Sequence, residues 1–76
     1  MTDVPAEVTQ WCERFAAAAG VDPPTSQEID DLLALAAIAA HASARQSAPL
    51  TCWLAAKGGL TISAALEAAQ AIEGAA

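Results

Sequence analysis

Residues 25–44 read TSQEIDDLLALAAIAAHASA, and this stretch decides the fold class. Thr25 with Glu28 three residues on is the pairing in which a hydroxyl and a carboxylate each satisfy a backbone donor left over at a helix start. Beyond it, Ile29, Leu32, Ala36 and Ala40 recur at helical spacing, flanked by Leu33 on one side and by Leu35 and Ala39 on the other. The spacing predicts a helix from Thr25 to about Ala44 with those residues inward. Its opposite stripe, Asp30, Ala34, Ala37, His41 and Arg45, reads as a wet face of small residues between charged ends. Asp30 and Asp31 suit the positive end of the helix dipole. Adjacent residues on a helix diverge by about 100°, so they do not form a carboxylate pair able to share a proton or a metal.

Moving toward the start, the stretch from about Pro5 to Ala19 carries Val8, Trp11, Cys12, Phe15, Ala16 and Ala19 at intervals of three and four, as one buried helix face requires. Asp3 is its expected N-cap, Pro5 lies in its first turn, and Gly20 is placed for a left-handed C-terminal residue. Val21-Asp22-Pro23-Pro24 then breaks the chain, because proline lacks the amide donor and restricts the residue before it.

Toward the other end, Ser47-Ala48-Pro49 is expected to stop the central helix. Pro49 then opens a short segment from Leu50 to about Lys57, anchored by Leu50, Trp53 and Leu54. Gly58-Gly59 closes it. Thr61 or Ser63 caps a last helix through Glu73, with Ile62, Ala65, Leu66, Ala69 and Ile72 as its apolar stripe. The expectation is an all-α fold: a single helical domain over residues 1–76, a small bundle of three longer helices and one short helix.

Composition agrees. The 76 residues include 22 Ala against 17 large aliphatic or aromatic side chains after Met1. Alanine is the best helix former and is depleted in strands, which excludes a β-sandwich, while the length excludes a two-domain enzyme. A chain this short hides only about 60% of its unfolded surface and alanine contributes little transfer free energy, so stability is thin and a partner subunit or homo-oligomer is expected.

The net charge of −6, from nine carboxylates against Arg14, Arg45 and Lys57, opposes binding to nucleic acid and to anionic membrane surfaces. The longest apolar run, Leu32 to Ala40, is far short of the roughly 20 residues a membrane span needs. The acidic start Met1-Thr2-Asp3-Val4-Pro5 lacks a secretory pattern, and Cys12 and Cys52 form no CxxC pair; both point to a cytoplasmic protein with reduced thiols.

Few residues carry chemistry. His41 and Arg45, four apart near a helix C-terminus, read either as a clamp for a carboxylate or phosphate or as helix-end electrostatics. Cys12, His41 and Cys52 are one ligand short of a structural zinc site, so no metal is expected. Cys12 reads as a small core residue, and Cys52 behind Pro49 as a reduced thiol or as a nucleophile activated by a helix N-terminus. Trp11 and Trp53 are either core anchors or, if one is exposed, an interface hot spot. No catalytic constellation is present.

Leu32-Leu33-Ala34-Leu35-Ala36, then Ala40-His41, Arg45, Ala48-Pro49-Leu50-Thr51 and Trp53-Leu54 resemble a small helical actinobacterial family commonly labelled molybdopterin-guanine dinucleotide biosynthesis proteins. Members also occur as C-terminal domains fused to nucleotidyltransferases. The likeness covers about Ile29 to Gly59 and rests on His41, Arg45, Pro49 and Thr51 in fixed register. Ala36-Ala37-Ile38-Ala39 stands where relatives often carry charge.

The resemblance implies a non-catalytic accessory subunit or docking domain on a molybdenum-cofactor protein, either a formate dehydrogenase-type molybdoenzyme or a molybdopterin guanylyltransferase. No cofactor is expected to bind directly; the link to molybdopterin guanine dinucleotide is indirect. The binding residues to examine are His41, Arg45, Thr51 and Trp53. Two alternatives stand beside this reading: a carrier that holds an anionic cofactor or nucleotide with His41 and Arg45, and a structural homodimer.

Overall fold

A computed structural model describes residues 4–75. Among them lie four helices and no strand: α1 (Ala6–Ala19), α2 (Ser26–Ala42), α3 (Ser47–Lys57) and α4 (Ile62–Ala75). The all-α class holds, with α3 the short element at 11 residues against 14, 17 and 14. The chain divides into two compact units, Met1–Asp30 and Asp31–Ala76, and the boundary falls within α2. No helix among the described residues is long and apolar enough to cross a membrane.

Local chemistry sets most of the helix ends. At α2 the Thr25 amide donates to Glu28 Oε1 at 2.8 Å while the Glu28 amide donates to Thr25 Oγ1 at 3.1 Å, a reciprocal capping box. Thr61, not Ser63, caps α4, its hydroxyl accepting from the Ala64 amide at 3.1 Å. The expected Asp3 cap lies outside the described residues. Pro5 precedes α1 with extended backbone and makes no side-chain cap. Glu28 is the carboxylate of the first turn of α2; Asp30 and Asp31 fall in the second, beyond the strongest part of the dipole.

Helices α1 and α3 end in the same way. Gly20 adopts φ 74°, with the Val21 amide donating to the Ala16 carbonyl at 3.0 Å and the Gly20 amide to Ala17 at 3.3 Å. Gly59 adopts φ 70°, with Leu60 donating to Ala55 at 3.0 Å and Gly59 to Ala56 at 3.1 Å. Both are Schellman motifs, in which a left-handed residue lets two amides recover otherwise orphaned carbonyls. The residue after each glycine, Val21 or Leu60, is apolar.

The corner between α2 and α3 differs from expectation. Helix α2 stops at Ala42 rather than Ala44, and α3 starts at Ser47 rather than Leu50. The Ser47 hydroxyl donates to that of Ser43 at 3.0 Å, and the Ser47 and Ala48 amides donate to Ala44 and Arg45 at 2.8 and 3.2 Å. Tight i to i+3 bonds thus carry the chain straight into α3. Pro49 sits in the first turn, where an amide has no intrahelical acceptor, so it neither delays nor breaks the helix.

The inward faces also differ. The buried apolar residues are Ala16, Leu35, Ala39 and Ala65, and Leu35, 1% exposed, is the single large one among the described residues. The inner face of α2 centres on Leu35 and Ala39 instead of Leu32 and Ala36, which are half-buried beside it. On α3 the half-buried residues are Ser47, Ala48, Thr51, Cys52 and Ala55, whereas the expected anchors Leu50, Trp53 and Leu54 are 61%, 59% and 59% exposed.

Helix α4 follows its stripe through Ile62, Ala65, Leu66 and Ala69, but Ile72 is exposed. Small side chains turned inward permit close helix approach, and interaxial spacing depends on the residues at the contact. Leu35 is the one large side chain fully inside this seam among the described residues, while Leu50, Trp53, Leu54 and Ile72 lie outside it.

Candidate functional site

Two concave apolar surfaces stand out, one in each unit. In Met1–Asp30, Trp11 and Phe15 project from successive turns of α1 with ring centroids 6.2 Å apart and planes at 35°. They are 60% and 61% exposed, not turned into a core. Together with Cys12, Ala16, Val21 and Pro24 they border an open hollow of about 250 Å³. The Schellman turn at Gly20 builds one wall, because it folds Val21 back beside Ala16. A tilted aromatic pair beside a small, mostly apolar depression suits an incoming apolar side chain.

In Asp31–Ala76 a larger groove of about 370 Å³ has Leu35 and Ala39 of α2, Ala55 of α3, and Ala65 and Ala69 of α4 among its walls. Leu54, Leu60 and Ile72 edge it. Its polar groups are the Ser43 and Ser47 hydroxyls, Thr51 and the Glu73 carboxylate. Much of its wall is alanine. It lacks a convergent set of charged groups, and among the described residues no three His, Cys, Asp or Glu side chains come together as a metal would require.

The four residues singled out from sequence do not converge on one point. His41 is exposed in the last turn of α2. Arg45 lies in the turn that follows and is also exposed; the helix ends between them, so the expected i, i+4 pairing on one helical face does not hold. Neither side chain makes a hydrogen bond or ion pair with another described residue. Thr51 is half-buried in the wall of the groove. Trp53 stands on the outer side of α3, with Lys57 Nζ 4.8 Å from its ring centroid.

Both tryptophans are therefore surface rings, which corrects the core-anchor reading. Cys12 and Cys52 are free and half-buried, and they lie in different units.

The groove itself was missed in the sequence, and so was Leu60. The signal was present: an apolar residue directly after a Gly-Gly helix stop is the position that folds back in a Schellman motif. The same reading applies to Val21 after Gly20.

Comparison with known proteins places a family model described as "Domain of unknown function (DUF6457)" over residues 3–76. No curated protein and no solved structure matches the chain.

Proposed function

We propose, for a chain that belongs to the DUF6457 family, the role of a non-catalytic docking domain whose Trp11 and Phe15 face receives a larger protein. The exposed aromatic pair carries this reading. Rings on adjacent turns of α1, with a hollow of about 250 Å³ between them and Pro24, supply the rigid, amphipathic contact area typical of interface hot spots. The expected host is a molybdenum-cofactor protein, a formate dehydrogenase-type molybdoenzyme or a molybdopterin guanylyltransferase. That choice rests on the sequence resemblance around His41, Arg45 and Thr51, and it carries with it a cytoplasmic setting. In this reading the chain binds no cofactor itself.

The test is co-expression of the tagged chain with each candidate host, followed by measurement of the complex at micromolar concentration. A complex that Trp11→Ala and Phe15→Ala each weaken at least tenfold is expected, since truncating a hot-spot aromatic costs about 2 kcal/mol or more. No complex with either host, or one indifferent to both substitutions, overturns the reading.

A further inference from the structure

We infer that the groove of Asp31–Ala76 is a binding site for a small cationic amphiphile, its alkyl chain lying among α2, α3 and α4 and its ammonium head at Glu73. The hollow of about 370 Å³ is lined from within residues 35–43, 47–55 and 65–73, about two and a half turns from each successive stretch. A concavity of this size among the helices of a bundle is where small molecules are held, with apolar walls and a few polar groups that fix orientation. The turns at 43–46 and 58–61 are short, and short connections set successive helices antiparallel. The first lining residues of α2 and α4, Leu35 and Ala65, therefore share one end of the groove with Ala55 and Leu60. Ser43, Ser47 and Glu73 share the other. A hollow that is apolar at one end and polar at the other suits an amphiphile.

Charge selects the head group. Glu73 is the charged residue of the wall, and it makes no hydrogen bond or ion pair with another described residue. It stands in the last turn of α4, which has no basic residue there. A carboxylate at the carbonyl end of a helix is on the unfavourable side of the macrodipole, and an ammonium placed beside it offsets both. The net charge of −6 draws a cation and repels a fatty carboxylate. The Ser47 hydroxyl donates to Ser43 at 3.0 Å, so the Ser47 oxygen keeps its lone pairs for an ammonium N–H. The groove lies in a different unit from Trp11 and Phe15, so its test does not depend on the host proposed above.

The experiment is calorimetric titration of the purified full chain at pH 7 with octylammonium, octanol and octanoate, which share a chain length and differ in the head. Octylammonium, protonated at that pH as lysine is, is expected to bind with a dissociation constant below about 1 mM, and octanoate about tenfold or more weaker. Glu73→Gln should weaken octylammonium about fivefold or more and leave octanol unchanged. Glu67→Gln, which removes an exposed carboxylate of α4 outside the lining, should change neither. Ala69→Leu should weaken octylammonium and octanol alike by filling the groove, and circular dichroism confirms that every variant stays helical. The inference is overturned if octylammonium does not bind, if octanol or octanoate binds as tightly, or if Glu67→Gln weakens binding as much as Glu73→Gln. Binding indifferent to Ala69→Leu overturns it as well.

Discussion

Lys57 Nζ lies 4.8 Å from the centroid of Trp53, one turn back along α3, and both side chains are on the outer side of that helix. The cation rests on the π-face of an indole that is 59% exposed, so it shields the ring without burying it. In a Trp11→Phe background at sub-micromolar concentration, Trp53 fluorescence is expected to have the emission of a wet indole and to be quenched freely by acrylamide. Lys57→Gln should raise the quenching constant while leaving helicity unchanged. Emission of a buried indole in the wild type would contradict the placement of the ring.

The capping box at α2 gives a second prediction. Thr25 and Glu28 exchange two hydrogen bonds at 2.8 and 3.1 Å, and Thr61 supplies one at 3.1 Å to α4. Thr25→Ala and Thr61→Ala are each expected to cost about 1 kcal/mol in urea unfolding, the usual loss of an N-cap. Glu28→Ala should cost less than Thr25→Ala, since alanine within the first turn is itself the best helix former whereas alanine at the N-cap is among the worst. Equal stability of Thr25→Ala and wild type would show that the box is not formed.

The two Schellman glycines and their neighbour separate conformational from steric effects. An added Cβ meets nothing within 4 Å at Gly20 or Gly59, yet both have positive φ, so Gly20→Ala and Gly59→Ala should each lose about 1 kcal/mol or more through backbone strain alone. Gly58 has φ −78°, a right-handed conformation, and its Cβ would stand 3.3 Å from the Leu54 carbonyl oxygen. Gly58→Ala should therefore change stability less than Gly59→Ala. The reverse order in thermal melts would refute the assignment of Gly59 as the left-handed residue.

These local devices were legible in sequence because each is written in two or three adjacent residues. Thr25 with Glu28, Gly20 before Val21-Asp22-Pro23, and Gly58-Gly59 depend on no distant partner. The choice of face was not legible, and α3 shows why. Leu50, Trp53 and Leu54 satisfy helical spacing, and so do Ala48, Thr51, Cys52 and Ala55 on the opposite side. Burial value favours the first set, whereas close approach to neighbouring helices favours the second, and only tertiary packing decides between them.

The same ambiguity turned α2 toward Leu35 and Ala39, since every residue from Leu32 to Ala40 is apolar. The pairing of His41 with Arg45 failed for a different reason. It assumed that α2 continues past Ala42, where the Ser43 and Ser47 hydroxyls bond each other instead.

Leu35 and Phe15 test the inverted burial directly. A reading by bulk would rank Phe15 as the more important core residue. In the structure Phe15 is 61% exposed while Leu35 is 1% exposed and borders the groove. Leu35→Ala removes the one fully buried large side chain among the described residues and should cost about 2–3 kcal/mol, the low end for such truncations because an open groove lets neighbours relax. Phe15→Ser should stay within about 0.5 kcal/mol of wild type, as surface changes do. Urea unfolding of the two variants measures the contrast at one concentration. If Phe15→Ser proved the more damaging, the aromatic pair on α1 would be structural, and the docking role assigned to it would fall with it.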